Sequence, residues 1–185
     1  MHFIIFDVEA TCWENPMVTK HKQQEIIEIG AVKVNEAGEI IDTFSAFVRP
    51  IFEPILTDFC KTLTNISQED VAQAETFDMV APKFKAWVEG NHQVPYAYGS
   101  WGFFDQRILS KNCIYHQLDD AWTKPHISLK HQYPRLRRLS RTFGLQKALE
   151  YEDMTFQGNH HRALDDAKNT ARIFILLQAF WNFQS

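Results

Sequence analysis

Several protein classes are excluded by what this sequence lacks. Glycine occurs only seven times in 185 residues, scattered along the chain, so no Gly-rich loop is available to cradle a phosphate and a nucleotide-binding ATPase is disfavoured. The three cysteines, Cys12, Cys60 and Cys113, are far apart. They show no metal-type spacing, and an odd, sparse set fits a reducing compartment better than a disulfide framework. No basic leader precedes the first apolar run, and Asp7 interrupts that run as a signal-peptide core. Near the other end, FILLQAF is too short to span a bilayer. The cytoplasm is the expected location, with no membrane partner. A charge excess is missing as well: the net charge of −4 rules out a basic nucleic-acid footprint spread over the whole surface. With no repeat, low-complexity tract or linker, residues 1–185 read as a single domain with enough apolar residues, 45%, to build a core.

What is present is organised around the first ten residues. Phe3 to Phe6 form an apolar run of the kind found in a central strand. Asp7 and Glu9 follow without a turn signal, and residues two apart on a strand share a face. Two carboxylates therefore stand side by side at the end of a core strand, where their repulsion calls for a positive partner such as a hard divalent cation. The alternative is that the strand ends early and both are solvated.

After a polar loop, IIEIGAVKVN and IIDTFSAFVRP read as two further strands joined by a turn at Glu36 to Glu39, giving an antiparallel meander. Ser67 with Asp70 marks a helix start, and Thr76 opens a helix carrying Val80, Phe84, Trp87 and Val88, which Gly90 and Asn91 end. VPYAY is a fourth strand closed by a GSWG turn, Phe103 to Asn112 a helix, and HIS after Pro125 a fifth strand. Helices are expected at Tyr133 to Phe143 and Arg162 to Trp181. The expected fold is α/β: a mixed five-stranded sheet, antiparallel in its first three strands and parallel in its last two, flanked by helices.

Two of these helices carry acids that point inward. Asp105 shares a stripe with Ile108 and Leu109, although an aspartate favoured by the helix dipole is an alternative. In HRALDDAKNTARIFILL, helical geometry separates adjacent aspartates. Asp166 falls on the margin of the apolar face, about 60° from its centre, whereas Asp165 lands opposite with Arg172 as an ordinary surface charge. His161 belongs to the preceding QGNHH loop or the helix cap. Histidine titrates near neutrality, so one beside a metal site can take a proton from water; a lone loop histidine is otherwise a surface residue. Four inward carboxylates on three separate segments, plus a histidine, suit a two-metal phosphoryl-transfer centre.

FDVEATC, the aspartate of GSWGFFD and HRALDD, in that order, resemble the three motifs of the DEDDh 3′→5′ exonucleases, which have an RNase H-like fold. The stretches FCKTLTNISQEDV, SWGFFD, HISLK and ALEYEDMTFQGNHHRALDDAKNTARI are similar to the Eri-type and KapD-like branch. The resemblance implies Asp7, Glu9, Asp105 and Asp166 as ligands of two divalent cations, Mg²⁺ or Mn²⁺, and His161 as general base. The tyrosine-containing branch would need Tyr at the place of Arg162. Asn65 stands where the family commonly has glycine. The implied reaction is hydrolysis of the terminal phosphodiester of single-stranded RNA or DNA at its 3′ end, releasing nucleoside 5′-monophosphates. The backbone at Ala10 and Thr11 is expected to contact the terminal sugar. Leu63 and Trp101 are expected to flank the base, with Trp13 as a further candidate; each aromatic has the core as its alternative.

From Lys124 to Lys147 the chain is basic throughout, and Arg135, Arg138 and Arg141 recur at helix-face spacing. This stretch is either a phosphate-tracking ramp or a solvated helix face. Competing functions are a non-catalytic nucleic-acid-binding module, which would leave the acidic set without a purpose, and an oligoribonuclease or proofreading subunit with the same metal chemistry. Phe180, Trp181 and Phe183 are expected either to dock on the body or to form an oligomer surface.

Overall fold

A computed structural model of the chain describes residues 1–19, 22–90 and 94–183. In chain order, β1 (His2–Ala10) is followed by a one-turn helix, α1 (Pro16–Thr19), then β2 (Ile26–Val34) and β3 (Ile40–Phe47). Next come α2 (Asp58–Thr64), α3 (Gln68–Ala72), α4 (Phe77–Glu89), β4 (Tyr96–Ser100), α5 (Phe104–Tyr115) and β5 (His126–Ser128). The chain finishes with α6 (Leu129–Arg137), α7 (Leu145–Tyr151) and α8 (Ala163–Leu176).

Among the described residues the strands form one five-stranded sheet of order β3-β2-β1-β4-β5. The β1/β2 and β2/β3 pairs are antiparallel, and the β1/β4 and β4/β5 pairs are parallel. This is the mixed, helix-flanked sheet expected from the meander and the later alternation of strand and helix. Its two faces bury different sets of side chains. Ile4, Phe6 and Val8 of β1 pack with Phe84 and Tyr98 on the α4/α5 side, while Phe3 and Ile5 pack with Ile173 and Phe174 on the α8 side. Each such apolar side chain contributes about 1.5–3 kcal/mol on burial. That is enough to hold β1 at the centre of the sheet despite the carboxylates at its end.

Several boundaries differ from expectation for identifiable reasons. β4 runs through Gly99 and Ser100, which pair with Ile127 and Ser128 of β5 instead of turning. β3 ends at Phe47; past it, Arg49 makes only an isolated bridge to Thr76. β5 feeds directly into α6, whose first residue Leu129 is fully buried; the helix then stops at Arg138 in the left-handed conformation, φ 55°. Arg141 lies beyond that stop, so Arg135, Arg138 and Arg141 do not share a helix face. Arg137 is bound to Glu152 by Nε at 2.7 Å and Nη2 at 2.8 Å. α7 is a helix that the expected Tyr133–Phe143 assignment omits.

α8 ends at Leu176, short of Trp181. There the chain folds back so that the Trp181 indole donates to Phe174 O at 2.8 Å and stacks on the Phe174 ring. Phe183 packs against Phe3, whereas Phe180 is exposed. α4 ends as expected at Gly90, with φ 54°; Asn91 lies outside the described residues.

Candidate active site

The site forms where the C-terminal end of β1 meets the first turns of α5 and α8. Strand alternation places Asp7 and Glu9 on the α8 side, opposite Gly30 and Glu28 of β2. Asp166, in the first turn of α8, completes a group whose carboxylate oxygens lie within 4.8 Å of one another. Asp105 enters from the first turn of α5 and is 6% exposed. The Val8 N–H donates to Asp105 Oδ1 at 3.4 Å.

The electrostatics of this group follow from burial and mutual repulsion. Asp7 is pushed well above the usual carboxylate range, first by burial and then by the charges of Asp105, Glu9 and Asp166. Glu9 is raised to about 8, by burial first and then by Asp166 and Glu28. Asp105 is raised to about 6 by burial, with hydrogen bonds from Ser100 and the Val8 amide opposing the shift. Burial also raises Asp166. Three oxygen donors this close, each resisting ionisation where it stands, fit hard divalent cations, whose charge would relieve both penalties at once. Asp7, Glu9 and Asp166 are therefore the residues placed to hold metal, with Asp105 beside them.

His161 adopts a left-handed conformation, φ 59°, just ahead of α8. Its amide donates to Asp166 Oδ2 at 2.8 Å, while its half-exposed ring places Nδ1 3.8 Å from Glu9 Oε1. The ring thus stands between the carboxylates and solvent. The His160 ring lies 6.0 Å from it, with Nδ1 3.8 Å from Asp166 Oδ1, and is stacked on Phe156.

The neighbouring Asp165 is more than a surface charge. It accepts from the Asn159 amide at 2.9 Å and lies against Gly158, where a Cβ would stand 2.4 Å from its carboxylate. It therefore fixes the loop that presents His161.

The expected substrate contacts separate. Leu63 is exposed at the end of α2, and Asn65 follows as the left-handed C-cap, φ 53°. That conformation favours glycine and tolerates asparagine, which accounts for Asn65 at this position. Ala10 and Thr11 are buried, and the Thr11 amide is already bonded to Glu25 O at 2.8 Å, so it is not free for a sugar. Trp13 is partly buried, with Lys22 Nζ 5.3 Å from its ring centre. Trp101 is a core residue, packed on Tyr133 with its indole donating to Phe143 O at 3.1 Å, so it offers no open face. The exposed aromatics beside Asp105 are Phe103 and Phe104, neither of which the motifs single out. Helical geometry held the signal: at ~100° per residue neither shares the inward stripe of Asp105, Ile108 and Leu109.

The chain is similar to known proteins over most of its length. Residues 4–174 match the RNase_T family model, described as an exonuclease. The 3′-5′ exoribonuclease 1 of Mus musculus is 35% identical over 184 residues, covering 94% of this chain and 52% of that protein. The chain therefore spans about half the length of that relative. The probable 3′-5′ exonuclease KapD of Bacillus subtilis (strain 168) is 30% identical over 176 residues, 95% of this chain and 83% of that protein. Among solved structures, the nuclease domain of 3′hExo, a DEDDh family member bound to rAMP, superimposes with a TM-score of 0.89 at 33% identity, covering 96% of this chain and 92% of that one. With its paired strand carboxylates, its two helix aspartates and a family match over residues 4–174, the chain belongs to the DEDDh family of 3′→5′ exonucleases, in company with Eri-type and KapD-like members.

Proposed function

We propose that this chain is a metal-dependent exonuclease that removes nucleotides from the 3′ end of single-stranded nucleic acid, with RNA favoured and DNA as the alternative. The products are nucleoside 5′-monophosphates. The observation that carries the reading is the convergence of Asp7, Glu9 and Asp166 within 4.8 Å, with Asp105 beside them and His161 at the rim. Names such as exoribonuclease among the relatives, and rAMP in the 3′hExo nuclease domain, support RNA as the substrate.

Asp7, Glu9 and Asp166, with Asp105 in support, would hold two divalent cations, Mg²⁺ or Mn²⁺. Bound there, such ions supply charge neutralisation at the phosphate and acidify water. The protein's own part is positional. β1 and α8 hold the carboxylates together, and the half-exposed imidazole of His161 is placed to accept the proton of the attacking water. Leu63, Phe103 and Phe104, all exposed, are candidate apolar surfaces to flank a terminal base. The unpaired members of the basic stretch between Lys124 and Lys147 remain candidates for phosphate contacts, although not as one helical stripe. The reading extends to a single domain over residues 1–185 and to a reducing, cytoplasmic setting, for which the odd, sparse set of three cysteines speaks. No helix among the described residues is long and apolar enough to cross a membrane.

The test is a time course on 5′-labelled single-stranded RNA, single-stranded DNA and duplexes with 3′ overhangs, with Mg²⁺, Mn²⁺ or EDTA. Stepwise shortening from the 3′ end that stops in EDTA is expected, fastest on RNA. Retention of the strand without cleavage would favour a binding module and overturn the proposal.

A further inference from the structure

Glu28 is a carboxylate that the metal group does not use, although it stands directly opposite Glu9 on β2 and faces the same side of the sheet. It is 2% exposed, and it is fully engaged by the start of α8. Arg162 Nη2 donates to Glu28 Oε1 at 3.0 Å, Arg162 Nε lies 3.2 Å from Oε2, and the Ala163 amide donates to Oε2 at 2.9 Å. Arg162 is the N-cap residue of α8, and its own side chain makes no cap bond to the helix. A helix start leaves amides unsatisfied; here a carboxylate from the sheet takes one of them.

Gly30, two residues further along β2, lets this junction come to backbone contact. A Cβ at Gly30 would lie 2.0 Å from Leu164 N and 2.2 Å from the Ala163 carbonyl carbon. The start of α8 therefore rests on the sheet at Gly30 and is held sideways by Glu28. The Arg162 guanidinium also lies over the Phe47 ring, 5.2 Å from its centre, which limits its swing. The clasp sits between the two α8-side residues of the site. His161 immediately precedes it, Asp166 follows within one turn, and the His161 amide joins them through Asp166 Oδ2. The guanidinium pairs with Glu28 at 3.0 Å, so this carboxylate is tied to the helix start and turned from the metal group.

We propose that Glu28 and Arg162 are a positioning pair, a sheet-to-helix clasp that sets Asp166 and His161 against Asp7 and Glu9. Its kinetic consequence rests on the nuclease reading, whereas its consequence for metal affinity does not. Outer-shell partners of metal sites typically carry about 10–100-fold in affinity or activity, and the clasp belongs in that range because it orients a ligand without touching the metal.

The experiment compares Glu28→Ala, Glu28→Gln, Arg162→Ala, Arg162→Lys and the Glu28→Ala/Arg162→Ala double variant of the full chain, with folding followed by circular dichroism. Calorimetric titration with Mn²⁺ alone and steady-state kinetics on a labelled RNA strand are the two readouts. Each alanine variant is expected to bind Mn²⁺ about 10-fold more weakly and to lose about 10–100-fold in kcat while KM moves less than about twofold. Glu28→Gln keeps an acceptor for the Ala163 amide, and Arg162→Lys keeps the charge, so each should recover part of the loss. The double variant should be little worse than the worse single one, because both remove the same contact.

Unchanged Mn²⁺ affinity and kcat in folded alanine variants would overturn the proposal, as would a loss confined to KM or additive losses in the double variant. Should the alanine variants fail to fold, Glu28→Gln and Arg162→Lys carry the same comparison. If the parent chain cleaves no labelled strand, the nuclease reading fails and the Mn²⁺ titration still decides whether the clasp sets the metal group.

Discussion

α5 and α8 each deliver an aspartate from their first turn to the end of β1, yet the two acids are secured differently. Asp105 is pinned by the sheet itself, through the Val8 amide and Ser100, and the next turn of α5 buries Ile108 and Leu109 beneath it. Asp166 is secured by the loop before its helix, through the His161 amide, with the His160 imidazole beside it and that of His161 beside Glu9. An acid locked into packing serves as scaffold. One tied to a loop with a half-exposed histidine stands where water and substrate arrive. The α5 side should therefore govern how the cations are supported, and the α8 side how the reaction is run.

The largest expected effect comes from neutralising the two acids separately. Asp166→Asn should remove detectable turnover, since it deletes a member of the close carboxylate group, a loss beyond the roughly 10–100-fold of an outer-shell change. Asp105→Asn should retain measurable activity that higher Mn²⁺ partly restores. Equal losses in rate assays across a metal titration would erase the distinction between the two helices. Next in size, His161→Ala should lower kcat by about 10²–10³-fold, within the range of general acid–base catalysis, while KM stays close to that of the parent. A rise in KM at constant kcat would remove the histidine from proton transfer.

The smallest effect is on stability and is read by thermal melts at several pH values. Glu9 titrates at about 8 in the folded chain against an ordinary 4.5. Between those values the metal-free folded chain keeps a proton that the unfolded chain has released. The contribution of Glu9 to stability therefore falls as pH rises across that window. Saturating Mg²⁺ should reverse the trend, because metal binding favours the deprotonated carboxylates and strengthens with pH. Melts in EDTA that rise with pH across the window would contradict the repulsion described for the cluster.

Much of the α8 side could be read from the sequence, because strand alternation and helical angle each act on a single element. Asp7 and Glu9 share a face by period two, and Asp166 separates from Asp165 by about 100° of helical rotation. What could not be read depends on contacts between elements. Gly99 and Ser100 look like a turn until β5 arrives to pair with them. Trp101 resembles an open stacking surface until Tyr133 and Phe143 enclose it. The helix expected from Tyr133 to Phe143 starts earlier, because burial of Leu129 draws α6 back to the end of β5. Asp165 looks idle on a helical wheel and gains its part only from a loop that folds back onto it. Glu28 and Arg162 lie 134 residues apart, a pairing that no local pattern announces.

The fold-back after α8 carries a consequence for handling the protein. Trp181 and Phe183 close the interior around Phe174 and Phe3, and Phe3 belongs to the same strand that bears Asp7 and Glu9. Clipping the chain just past Leu177 would thus be surgery on the interior: it would strip the greasy backing from the root of the strand whose tip does the chemistry.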